Sequence, residues 1–414
     1  MKFKIAANTV FQLLGKAVTT TTALLATILI AKNYGPEEYG NFTLITTFVG
    51  IFYLIVDFGM NAIVLEKLQK TELQKEYFKN LLGLRLLWSI FLVFLSLSIL
   101  SLLPQEQGFN IAVRMGIIIY SITLISHGII TTCNAIFQKN LRYDLSALSS
   151  SVGSVINILL VIFFATQRAP LVVLMISFVV GGVISAASYL FLVKAKEKDV
   201  SIAPSYNFQK FREIFISSLP LGITLIFNLV YFRADTFILA LFRNQGEVGN
   251  YGLAYRFFEA ALVFPTFFMN ALYPFLLSSK SNSESLKKLV SKSFRILLGA
   301  SIITTIIIII AAPQLIYLSS GSSFTKSSTA LRLLSLSFPS FFLSSLYMWV
   351  LITLGKRKIL SIVYGTSMIL NIILNIIFIP SFGVFAAAII TGLCETLILV
   401  STYLLSKKYL KTSL

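Results

Sequence analysis

The chain has 414 residues, of which 57% are hydrophobic and 12% charged, and its mean hydropathy is +0.86. A soluble domain carries about 25% charged residues, so a soluble globular protein is excluded and an integral membrane protein is expected. The net charge of +18, from 34 Lys plus Arg against 16 Asp plus Glu, does not require a nucleic-acid partner, because the cytoplasmic loops of membrane proteins collect Lys and Arg. Cys133 and Cys394 lie in apolar runs without CxxC or Cys/His spacing, and His127 is the sole histidine. Neither a disulfide framework nor a metal site is therefore expected.

Apolar runs long enough to cross a bilayer fall at 7–31, 41–65, 80–103, 112–137, 145–165, 171–193, 213–242, 249–277, 294–312, 328–354, 359–379 and 383–405. These predict an all-α polytopic protein of about twelve transmembrane helices. The first run is too long for a signal peptide and lacks a small-residue cleavage site, so it reads as an uncleaved helix. Alternate connections hold Lys67, Lys70, Lys75 and Lys79, then Lys139 and Arg142, Lys194 to Arg212, Lys280 to Arg295, and Lys356 to Lys358. The intervening connections hold only Lys32, Arg168, Arg243 and Lys326. The positive-inside bias puts the first set in the cytoplasm with both termini, in a cell membrane. The loops are short and carry no folded domain. That counts against a membrane glycosyltransferase or polymerase and for a protein that is not an enzyme, with its function inside the helix bundle.

The chain repeats itself. Glu38-Tyr39-Gly40-Asn41-Phe42 returns as Glu247-Val248-Gly249-Asn250-Tyr251, and Asn157-Ile158-Leu159-Leu160 returns as Asn371-Ile372-Ile373-Leu374. Both offsets are close to half the chain, which predicts two six-helix lobes, 1–200 and 201–414. An even number of helices per lobe makes the repeat parallel, as in transporters with a site between two halves.

A helical stripe of polar residues must face protein or water rather than lipid. The first span carries Thr9, Gln12, Lys16, Thr20 and Thr27 on one face; the seventh carries Ser217, Thr224, Asn228, Tyr231 and Asp235. The fourth adds His127, Thr131, Asn134 and Gln138, and the eighth adds Arg256, Glu259, Thr266, Asn270 and Tyr273. Two readings stand for the uncharged members: a shared central cavity, or hydrogen bonds that hold helices together. Charges at mid-bilayer cost from ~3 to over 10 kcal/mol and should be few and purposeful. Lys16, about 12 Å into its span, either lines the cavity or pairs with Asp57 or Glu395. Arg256 and Glu259 are spaced to pair locally. Arg233 lies off the stripe of Asp235 and ranks lower, and Arg332 sits near a helix end where it would snorkel. Asp57, Asp235, Glu259 and Glu395 are candidates for gating or for a coupling ion, H⁺ or Na⁺; no other cofactor is expected.

The run Leu29-Ile30-Ala31-Lys32-Asn33-Tyr34-Gly35-Pro36-Glu37-Glu38-Tyr39-Gly40 resembles a signature of the polysaccharide flippases (Wzx type) in the MATE-like MOP superfamily. So do Asp57-Phe58-Gly59, Arg233-Ala234-Asp235, Gly249-Asn250-Tyr251 through Arg256 and Glu259, and Gly383 through Ala386-Ala387-Ala388 to Glu395. Phe385 departs from the family's usual smaller residue. The resemblance implies a V-shaped pair of lobes that carries a polyprenyl-diphosphate-linked oligosaccharide from the cytoplasmic to the outer leaflet by alternating access. It also implies cavity bases for the diphosphate or acidic sugars, filled here by Lys16 and Arg256. A polysaccharide polymerase or glycosyltransferase complex is a compatible partner. The alternative within the superfamily is an ion-coupled antiporter that exports cationic drugs or metabolites and needs an acidic site inside a lobe.

Overall fold

The computed structural model describes residues 2–61, 64, 74–105, 108–196, 203–280 and 282–412. Its helices, in chain order, are α1 Lys2–Asp57, α2 Gln74–Leu102, α3 Ile111–Ser121, α4 Thr123–Lys139, α5 Tyr143–Thr166, α6 Leu171–Lys196, α7 Phe208–Phe242, α8 Gln245–Ala261, α9 Val263–Ser278, α10 Ser283–Ser320, α11 Ser327–Ser335, α12 Phe338–Thr353 and α13 Arg357–Thr412. No strand occurs among the described residues. In hydrocarbon every backbone polar group must be bonded within its own segment, and a helix does this unaided. Hydroxyls inside the helices follow the same rule: Thr22 bonds the Val18 carbonyl at 3.0 Å and Thr402 the Ile398 carbonyl at 2.7 Å, the back-bonding open to Ser and Thr in a helix.

The helix breaks reconcile this list with about twelve crossings. α1 and α13 each join two helices across a glycine, Gly35 at φ 75° and Gly383 at φ 54°, in the left-handed region where only glycine is unstrained. Conversely, α3 runs on to α4, α8 to α9 and α11 to α12, the last pair bent by 43°. Pro265 and Pro339 stand just past the last two of these joints, where the missing N–H leaves the carbonyls of Ala261 and Ser335 without their usual partner. The helices are long and apolar enough to make this a multi-pass membrane protein.

Cα proximity sorts the chain into two units, one formed by residues up to Tyr34 with Asn41–Leu229, the other by Gly35–Gly40 with Val230–Leu414. The first unit takes the beginning of α7 and packs it on α2: Phe211 and Ile214 meet Phe58, Met60 and Leu81, and the backbone N–H groups of Ser205 and Asn207 donate to the Lys79 carbonyl and the Asn80 side chain at 3.0 and 3.2 Å. A second apolar cluster joins α2, α4 and α6 through Leu82, Phe137 and Tyr189.

The second unit is built on aromatics, with Phe258 stacked on Phe338 at 5.1 Å. Here the sequence repeat becomes a contact. A Cβ at Gly40 would collide with the Gln245 carbonyl, and one at Gly249 with the Pro36 carbonyl. The two copies of the Gly-Asn motif therefore lie backbone against backbone, at a separation only glycine permits. Beside them Glu247 is held by Arg243 at 2.8 Å and Lys326 at 2.6 Å, and Asn250 accepts the N–H groups of Lys326 and Ser327 at 3.1 and 3.0 Å. The hydrogen bonds to Glu247 hold the Arg243 guanidinium above its ordinary range.

Candidate functional site

In the second unit α7 and α8 lie side by side. Arg233 on α7 donates to Glu259 on α8 at 2.8 Å, while Arg256 approaches the other oxygen of the same carboxylate at 3.7 Å. Arg233 also sits 5.7 Å from the centre of the Tyr255 ring, an arrangement that favours a cation. Side-chain exposure is 27% for Arg233, 32% for Glu259 and 39% for Arg256, so the cluster is reachable from outside the packed core. One carboxylate shared by two guanidiniums leaves a net positive charge. Arg233, off the stripe of Asp235, thus meets Glu259 from the neighbouring helix: a position around α7 describes one helix, whereas a salt bridge depends on two.

Deeper in the same unit are two carboxylates with no salt-bridge partner among the described residues. Glu395 is 3% exposed and accepts from Tyr231 at 3.0 Å and from the Ser344 hydroxyl. Asp235 is 2% exposed and accepts from the Tyr251 hydroxyl, from the Thr236 N–H at 2.6 Å and from Thr391 at 3.5 Å. Tyr231 and Asp235, expected on a cavity stripe, face the interior of their own unit instead. A polar stripe shows that one helix face avoids lipid, and a bundle interior satisfies that requirement as well as a cavity does.

The first unit also holds a buried arginine, Arg85, that is not among the candidates read from the sequence. Arg85 on α2 is fully buried and donates to Asp57 at 2.6 Å, Asn61 at 2.8 Å and Thr132 at 3.2 Å. Phe58 and Gly59, at φ 45° and 75°, turn the chain out of α1 so that Asp57 and Asn61 both reach it. Asp57 is therefore engaged by Arg85, and Lys16 makes no salt bridge with it among the described residues. The signal for Arg85 was present: an unmatched base inside an apolar run, near the same end of the fold as an unmatched acid.

Residues 5–280 match the model of the family described as "Polysaccharide biosynthesis protein". The chain belongs to this family. Residues 220–377 also match the MatE family. The probable low-salt glycan biosynthesis flippase Agl15 of Haloferax volcanii is 23% identical over 89% of this chain and 76% of its own. Among solved structures, an inward-facing multidrug resistance MATE transporter of the MOP superfamily aligns with TM-score 0.79, 16% identity and coverage of 97% and 98% of the two chains. The lipid II flippase MurJ aligns with TM-score 0.77, 16% identity and coverage of 98% and 90%. The family member thus has the MOP-superfamily transporter fold.

The remaining candidate residues divide by burial. Gln12 and Lys16 on α1 are exposed and Thr20 half-buried; Lys16 makes no salt bridge among the described residues. His127 is half-buried with its ring 4.6 Å from that of Tyr53, and Asn134 accepts from Ser146 at 2.7 Å. Both are half-buried and find these partners within the first unit. Asn270 is exposed. Arg332 is exposed and bonds the Ile309 carbonyl at 3.0 Å, a helix-to-helix contact. The side chains of Thr9, Thr224 and Asn228 lie outside the described residues.

Proposed function

We propose that this chain flips a polyprenyl-diphosphate-linked oligosaccharide from the cytoplasmic to the outer leaflet, by alternating access of lobes 1–200 and 201–414. The observation that carries the reading is the Arg233–Glu259–Arg256 cluster, part-exposed and net cationic. A diphosphate cannot cross ~30 Å of hydrocarbon without groups that replace its water, and guanidiniums do so with paired N–H donors. Lys16, exposed and without a salt bridge among the described residues, supplies a second point charge of the right sign. The family match and the likeness to a probable glycan flippase support a glycan cargo. An anion moving outward also runs with an inside-negative potential, at ~2.3 kcal/mol per charge per 100 mV; the potential, alone or with H⁺ or Na⁺, supplies the drive.

One observation favours the antiporter as a second reading. Asp235 and Glu395 are buried acids without a salt bridge among the described residues, which is what a lobe-internal cation site requires. The deciding experiment reconstitutes the protein in liposomes and follows the leaflet of a polyprenyl-diphosphate oligosaccharide under an imposed potential. Transfer that falls in both Arg256→Ala and Lys16→Ala supports the flippase. Absence of transfer by the wild type, with cation efflux that depends on Glu395, would replace it with the antiporter.

A further inference from the structure

The second unit also contains an open cavity of about 700 Å³, within the range of ligand-sized pockets, whose lining includes none of Arg233, Arg256, Asp235 and Glu395. Three helix faces form it. Lys287, Val290, Ser291 and Phe294 recur at helical spacing on α10, Leu343 and Tyr347 one turn apart on α12, and Leu399, Val400, Tyr403, Lys407 and Leu410 along the end of α13. Its floor is apolar and buried: Val290, Leu343, Tyr347 and Leu410 are 6–8% exposed. Val400 and Tyr403 stand on the open side at 47% and 40% exposure.

The charges are arranged at one end. α10 begins at Ser283 and α13 ends at Thr412, so Lys287 and Lys407 both mark the lysine-rich end, which the charge bias reads as cytoplasmic. Neither lysine makes a salt bridge among the described residues, whereas the neighbouring Lys288 is paired with Glu284 at 2.6 Å. Inward from the lysines, from Lys287 to Phe294 and from Lys407 to Leu399, the lining reaches about 10–12 Å along the helices. That is less than half of the ~30 Å hydrocarbon thickness. The cavity is therefore apolar through most of one leaflet and cationic at that leaflet's surface.

We propose that this cavity seats one anionic phospholipid of the lysine-rich leaflet, with its phosphate between Lys287 and Lys407 and an acyl chain on the floor of Leu343, Tyr347 and Val290. Basic pockets between transmembrane helices on that side suit acidic headgroups, and the depth matches a chain that ends within its own leaflet rather than a long isoprenoid tail. The inference does not depend on what the transporter carries.

The test is native mass spectrometry of the detergent-purified full chain titrated with phosphatidylglycerol, with phosphatidylethanolamine and with a polyprenyl phosphate. The wild type should bind one phosphatidylglycerol in preference to both others. The pair Lys287→Gln and Lys407→Gln should weaken it about thirty-fold, from ~1 kcal/mol per lysine. Ser291→Trp, which keeps both charges and obstructs an exposed wall position, should weaken it as well and covers the event that the lysine pair does not fold. Lys292→Gln with Lys358→Gln, exposed lysines off the lining, should change affinity less than two-fold. Equal binding of phosphatidylethanolamine, an equal loss in the off-site pair, or preference for the polyprenyl phosphate would overturn the proposal.

Discussion

Arg85 in the first unit and the Arg233–Arg256 pair in the second use the same two chemical groups for different ends. Arg85 has no exposed side-chain surface and meets a carboxylate, an amide and a hydroxyl, so its charge is spent within the fold. Around Glu259 the ratio is reversed, with two bases to one acid and about a third of each side chain open. The difference teaches how to sort charges inside a membrane protein: by the balance of partners and by exposure, rather than by presence in a helix. A neutralised, buried arginine stabilises, and a surplus, reachable one is available to an anion.

Removal of Arg85 should give the largest structural effect. Arg85→Ala leaves Asp57 without its cation, and breaking a buried pair costs about 3–5 kcal/mol; the thermal unfolding midpoint in detergent should fall sharply and expression with it. If Arg85→Ala were as stable as wild type, the contrast between the two clusters would collapse. Arg256→Ala, at a site 39% exposed, should shift stability by no more than ~1 kcal/mol while lowering glycolipid transfer at least ten-fold, as read from the liposome assay and a melting curve on the same sample.

Glu259→Gln sharpens the comparison further. It releases two guanidiniums without removing either, so an anionic cargo should bind more tightly, about five- to ten-fold by titration of a diphosphate headgroup analogue. Arg233→Ala should weaken the same binding. Should both variants weaken it, the cluster would be structural, like Arg85. The smallest effect on the fold is expected at Glu395→Gln, which keeps the size of the side chain and an acceptor oxygen for one of the Tyr231 and Ser344 hydroxyls, while the other can accept from the new amide. The melting midpoint should move little. Transfer that loses its response to an H⁺ or Na⁺ gradient in this variant would assign the coupling role to Glu395, and unchanged coupling would remove it.

Much of the architecture could be read in one dimension. The apolar runs, the alternation of lysine-rich loops and the duplicated Gly-Asn motif follow from forces that act along the chain: hydrocarbon thickness sets run length, and insertion sorts positive charge by side. Gly35 falls between the runs 7–31 and 41–65, and Gly383 opens the run 383–405; that their backbones are left-handed, as glycine allows, only the structure shows. The site was legible only in part. Arg256 and Glu259 are three residues apart on one helix, so their pairing could be stated from spacing.

What the sequence by itself determined, then, is that this is an all-helical membrane protein with a repeated half and a small set of intramembrane charges. The tertiary structure alone decided where those charges go. Arg233 joins Glu259 from a neighbouring helix, Asp57 is claimed by Arg85 from 28 residues away, and Tyr231 turns inward to Glu395 across 164 residues. The physical reason is that a helical period reports the direction of a side chain around one axis, whereas an ion pair or a buried hydrogen bond is a property of two helices. It depends on crossing and register, set by close approaches such as Gly40 against Gln245 and Gly249 against Pro36, which no single helix encodes.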